Sequence, residues 1–148
     1  MEKIFIEENN FEKARKKIRE NSEKFIIFTG DDEISRKILE KEKINVLLIS
    51  EVERKDFLKQ RDSGLDRVMA RLATKNKVLI GINFDELVES DREKTKAKIL
   101  SRIIQNIEIC KKEKTNMIFV SKKTQLEKNS VLALGLSLGM PSWMIRFV

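Results

Sequence analysis

The stretch QRDSGLDRVMARLA, residues 60–73, sets Arg61, Arg67 and Arg71 around the start of an amphipathic run. Arginines so placed are a solvated helix surface, a phosphate clamp in an enzyme, or a grip on nucleic acid. The rest of the chain is poorly equipped for the enzyme. It has no histidine, which removes the commonest general base and the commonest metal ligand. Cys110 is the single cysteine and sits beside Ile109 on the hydrophobic side of a helical run, where a free thiol reads as core. One cysteine makes no internal disulfide, and the composition fits a reducing interior. No phosphate loop is present, because FTGDD (28–32) lacks the spaced glycines and the lysine. Carboxylates cluster at Asp31-Asp32-Glu33, read as helix-start acid, and at Asp85-Glu86 with Glu89, read as an exposed loop edge. A carboxylate-only magnesium site is the weaker alternative, since such sites usually borrow substrate phosphates.

The 148 residues suggest one domain, 1–148, and carry 31 basic against 24 acidic side chains, a net charge of +7. That charge is uneven. Residues 54–77 hold eight basic and three acidic groups, and residues 91–128 hold eleven and five, with acidic or neutral chain between and before them. Such blocks attract polyanions and speed encounter with them. The competing reading is a lysine-rich surface that only solvates the protein. The opening MEKIFIEENN has no signal pattern, and the uncharged stretch 130–145 is too short and too rich in Ser, Gly and Pro for a span. The expectation is a cytoplasmic protein with no membrane contact.

Apolar runs alternate with helical patterns. Strands are predicted at 3–7, 24–30, 44–50, 77–84 and 116–121, with helices at 11–21, 31–43, after residue 62, at 91–114 and at 130–140. In the third helix Leu65, Val68, Met69, Leu72 and Ala73 form the expected buried face, and Ser63 with Asp66 has the form of a capping box. In the fourth, Leu100, Ile103, Ile104 and Ile107 are expected inside, with Lys94, Lys98 and Arg102 opposite. Five β–α units in succession give an α/β fold with a parallel sheet. A closed eight-unit barrel takes about 250 residues, so the expected form is an abbreviated TIM-barrel-like repeat of about five parallel strands, or an open sheet.

Three segments resemble one family. RDSGLDRVMARLATKNKVLIGINFDELV (61–88), REKTKAKILSRIIQNIEICKKEKTNMIFVS (92–121) and ALGLSLGMP (133–141), in that order, are similar to ribonuclease P protein component 3. This is the archaeal counterpart of a subunit of eukaryotic ribonuclease P and MRP. The resemblance spans roughly residues 24–141. It departs in three places: Arg54-Lys55-Asp56 and Arg61-Asp62 both match one family Arg/Lys-Asp pair, Arg67 stands where a histidine is common, and KKTQLEKNS (122–130) replaces a small-residue stretch with Pro-Asp. The resemblance implies a subunit of the enzyme that removes the 5′ leader of precursor tRNA, with Mg²⁺ and the chemistry belonging to the RNA subunit. It implies no cofactor or catalytic residue on this chain, only indirect contact with precursor tRNA, and a small Pop5-like partner, in a two-plus-two heterotetramer.

On that reading the basic blocks bind RNA through phosphates and 2′-hydroxyls, with no need of base-reading pockets. The candidates are Arg54, Lys55, Arg61, Arg67 and Arg71, then Arg92, Lys98, Arg102, Lys122 and Lys123. The resemblance favours Arg61, Arg92 and the loop after the fifth strand. Trp143, Met144, Ile145 and Phe147 crowd the last residues, either closing the core or docking the partner subunit. The rival functions are a stand-alone TIM-like metal-dependent phosphoesterase and a non-catalytic α/β interaction module.

Overall fold

The computed structural model describes residues 1–52, 54, 62–90 and 92–148. Five strands, β1 (Lys3–Glu7), β2 (Phe25–Thr29), β3 (Val46–Ile49), β4 (Leu79–Asn83) and β5 (Met117–Val120), form one sheet in the order 1-2-3-4-5. Every neighbouring pair is parallel. Helices α1 (Phe11–Glu20), α2 (Asp32–Lys41), α3 (Arg67–Lys75), α5 (Glu93–Glu113) and α6 (Lys128–Ser137) alternate with them, and a short α4 (Phe84–Glu89) follows β4 directly. The predicted strands and main helices are all present, each within a few residues of its expected bounds. The short α4 and a 3₁₀ turn at Ser142–Met144 are additions.

Alternation along the strands separates two cores. Phe28, Leu47, Ile80 and Phe119 point to the face that also receives Ile18, Ile38, Met69, Ile103 and Ile107 from the helices. Ile27, Val46, Leu48, Ile118 and Val120 point the other way, into a second cluster built from strand residues and lined further by Phe5, Phe25, Leu79 and Val148. The described helices therefore cover one face. A strand order that never reverses, with helices on one side, is an arc of a TIM-like barrel and not a doubly wound sheet. The arc is curled: Lys122, just after β5, places its ammonium 4.7 Å from the centre of the Phe5 ring on β1.

Two buried stripes lie differently from expectation. In α3 Met69, Ala70 and Ala73 are buried while Val68 is 53% exposed, because a nine-residue helix wedged between α2 and α5 has a narrower inner face. In α5 the inner stripe is Ile99, Ile103, Ile107 and Cys110, Leu100 is only partly buried, and Ile104 is 41% exposed. Leu65 is buried and Leu72 packs at the edge of the core.

Residues 146–148 lie alongside β5 in the next strand position. The Phe119 N–H donates to the Arg146 carbonyl at 2.8 Å, and the Val148 N–H to that of Phe119 at 2.9 Å. The inner face is tight at Gly81, where an added Cβ would lie 2.9 Å from Val46 Cγ1 and 3.2 Å from Leu48 Cα. Gly81→Val is therefore expected to lower stability by about 1–3 kcal/mol, measured by urea unfolding. Unchanged stability would mean that the concave face is not closely packed.

Candidate nucleic-acid interface

Helix α5 organises the basic region through polar groups buried on its inner side. Arg102 is 4% exposed and donates from Nη1 to the Glu51 carbonyl (3.0 Å) and from Nη2 to the Arg54 carbonyl (2.8 Å). Asn106 Nδ2 donates to the Ser63 carbonyl at 3.1 Å, and Gln105 Nε2 donates to the Ser63 hydroxyl at 3.1 Å. These bonds pin both ends of the connection between β3 and α3. They also correct the expectation that Arg102 faces solvent to bind RNA. Its guanidinium satisfies buried carbonyls that would otherwise have no donor.

Arg54 is also withdrawn from solvent. Its side chain is 13% exposed and forms a two-pronged bond with Asp32, 3.0 Å on each arm, while Nε donates to the Ser50 carbonyl at 2.6 Å and Nη1 reaches Asp62 at 3.3 Å. The guanidinium lies against Gly64, whose φ of +77° admits a tight turn that a Cβ would block. Arg54 is thus committed to a structural clasp, against the expectation that it is free to bind RNA. Lys55 and Arg61 lie outside the described residues.

The start of α3 differs from the capping box expected at Ser63. The cap is Asp66, whose carboxylate accepts the Met69 N–H at 2.8 Å, and Ser63 is buried three residues earlier, under α5. Arg67 and Arg71, one turn apart, both reach Glu113 at the end of α5. Arg67 Nε donates to Oε1 at 2.9 Å and Arg71 Nε to Oε2 at 2.8 Å. Arg71 and Arg67 together hold the Glu113 carboxyl below the usual carboxylate range. Both arginine side chains remain more than 60% exposed. Each is thus steered by its Nε, which leaves its Nη donors without a partner among the described residues and able to pair with phosphate.

The remaining candidates divide. Arg92 and Lys98 are exposed. Lys122 and Lys123 are exposed as residues, but Lys122 lies over Phe5 and Lys123 pairs with Glu89. The carboxylates read as a loop edge are partly structural: Asp85 accepts from the Ser121 hydroxyl (2.6 Å) and the Lys122 N–H (2.8 Å), and Glu86 accepts from the Glu51 N–H (2.9 Å) and the Ser50 hydroxyl. Of the closing hydrophobics, Met144 is buried and Ile145 packs on Gly135, whereas Trp143 and Phe147 are exposed. Cys110 is core, and burial pushes its thiol up to about 12. Among the described residues no group of three or more His, Cys, Asp or Glu is placed to hold a metal ion, and no helix is long and apolar enough to cross a membrane.

The fold and the site together are a basic, TIM-like α/β arc that orients two arginines of α3 on its outer face. Known proteins share that arc in part. No family model matches the chain. It is 34% identical over 114 residues to ribonuclease P protein component 3 of Methanococcus maripaludis (strain C7), covering 77% of this chain and 46% of that protein. It is 33% identical over 97 residues to the protein of that name in Methanocaldococcus jannaschii, covering 66% and 39%. It superposes with a TM-score of 0.78 and 25% identity on a chain of a cryo-EM structure of archaeal ribonuclease P with mature tRNA, covering 96% of this chain and 62% of that one. Across the matched residues the chain is a relative of ribonuclease P protein component 3. It spans about half the length of the curated relatives it matches.

The unanticipated member of this region is Glu51, which is 3% exposed and whose carboxyl has no hydrogen-bond partner among the described residues. Burial pushes it up to about 9, against the pull of Arg54 at 3.6 Å and of Arg102, and with the push of Glu86 and Asp62. An unfolded glutamate ionises near 4.5. Between these two values the folded chain keeps a proton that the unfolded chain has released, so stability falls as pH rises through that window. Glu51→Gln is expected to flatten this fall and to be the more stable protein at pH 8, measured by urea unfolding from pH 5 to 9. A wild-type slope in the variant would contradict a protonated Glu51.

Proposed function

We propose that this chain is a protein subunit of a ribonuclease P ribonucleoprotein, which removes the 5′ leader of precursor tRNA. In this role it binds and supports the catalytic domain of the RNA subunit, which with Mg²⁺ carries the chemistry. The observation that carries the proposal is the Arg67–Glu113–Arg71 clasp in a relative of ribonuclease P proteins. It offers two oriented guanidiniums from positions about 6 Å apart along one helix, a placement suited to phosphates of folded RNA. Arg92 and Lys98, exposed at the other end of α5, extend the charge. The exposed Trp143 and Phe147 support docking of a small Pop5-like subunit, in a two-plus-two heterotetramer, because aromatic side chains anchor interfaces. Precursor tRNA is then contacted through the RNA.

Replacing both Arg67 and Arg71 by alanine tests the clasp. Exposed ion pairs contribute about 0–1 kcal/mol each, so thermal melting should change little. Binding to ribonuclease P RNA should weaken, and its log–log salt slope should fall by roughly one unit per lost phosphate contact. An unchanged slope in filter-binding titrations would show that the two arginines are only solvated surface.

A further inference from the structure

Three helices end in one backbone motif. After α6, Gly139 takes a φ of +96°, and its N–H and that of Met140 turn back onto the carbonyls of Leu136 and Gly135. Helices α3 and α5 close in the same way. The Lys77 and Val78 N–H groups donate to Thr74 and Ala73, and those of Lys114 and Thr115 donate to Lys111 and Cys110. The pivot residue must be left-handed, which disfavours any residue with a Cβ and ordinarily selects glycine. Here it is lysine twice, at φ +58° and +55°. Helix dipoles explain lysines in a last turn, but a neighbouring position would serve the dipole equally and leave the pivot to glycine.

Both lysines stand where strands begin. The loops at that edge are tied side by side: the Asn45 N–H donates to Ile26, the Leu79 N–H to Asn45, and the Ile80 N–H to Asn116. A cleft of about 580 Å³ opens there, lined by Lys24, Lys41, Lys43, Lys75 and Lys77 together with Glu40 and Glu42. Glu42 is held by Arg19 at 2.9 Å and Arg15 at 3.5 Å, Lys24 faces Glu2 at 3.8 Å, and Lys41 lies over the Phe11 ring. Lys43, Lys75, Lys77 and Lys114 are exposed, with no carboxylate partner among the described residues. At the opposite edge a cleft of about 520 Å³ is lined by Glu7, Asp31, Asp32 and Asp62, with the committed Arg54 as the one cation among its described lining residues.

We infer that the strand-start edge, centred on Lys43, Lys75, Lys77 and Lys114, holds the phosphate backbone of folded RNA. This is the edge away from the one where barrel sites ordinarily lie. The inference rests on the RNA-binding reading above and specifies the face. Lys77→Gly with Lys114→Gly tests it cleanly, because each change removes a charge and relieves the left-handed pivot. Filter binding of a ribonuclease P RNA transcript, with a Pop5-like subunit present, should lose about two units of log–log salt slope, while the melting temperature holds or rises. Lys13→Ala, in the first turn of α1 at the opposite edge, should bind as wild type. Wild-type affinity and slope in the double variant, with the unaltered chain binding the RNA, would overturn this face and leave the RNA reading intact. An unaltered chain that does not bind the RNA at any salt concentration would overturn both.

Discussion

The parallel sheet aligns the dipoles of the five helices that alternate with its strands. With β1 to β5 all parallel and these helices on one face, each of them runs back against the strands, so their C-termini meet at one edge and their N-termini at the other. Carboxylates are favoured at the second edge and cations at the first. Asp31 and Asp66 accordingly cap α2 and α3, and Lys41, Lys75, Lys111 and Lys112 fill last turns. The segregation of charge across this molecule follows from topology before any partner is considered.

Against that background, α5 decides which cations face outward. Its inner side spends Arg102 on the carbonyls of Glu51 and Arg54, and Asn106 on Ser63, which fixes where α3 begins. Its last turn supplies Glu113, which orients Arg67 and Arg71. A single helix therefore buries one candidate arginine and steers two others. Arg54 is lost to carboxylates by the same logic, because Asp32 and Asp62 converge on it from two connections.

Much of the architecture was legible in the sequence. Apolar runs of strand length between 3.6-periodic segments located all five strands, and the unbroken β–α rhythm implied a parallel sheet. The order of the three motifs carried the family. What failed was rotation and partnership. A buried Arg102 is indistinguishable from a surface arginine in a helix stripe until the carbonyls of Glu51 and Arg54 are seen to need donors. Ser63 and Asp66 both suit a cap, and only the true start of α3 at Arg67 selects Asp66. The lysines of the strand-start edge are scattered from residue 43 to residue 114, so no window of sequence displays them together. A trace of the last did exist: lysine stands directly before the apolar run opening at Val78 and three residues before the one opening at Met117, where glycine would end a helix more easily.

The proposed role of this chain is to serve an RNA catalyst, with the cleavage chemistry carried by the RNA. The most direct test is the rate of precursor-tRNA cleavage by a ribonuclease P RNA with a Pop5-like subunit, measured with and without this chain at limiting Mg²⁺. The account predicts a clear acceleration when the chain is added, and no cleavage when the RNA subunit is left out. Cleavage by a nuclease-free preparation of the chain alone, or an unchanged rate on adding it, would contradict the account.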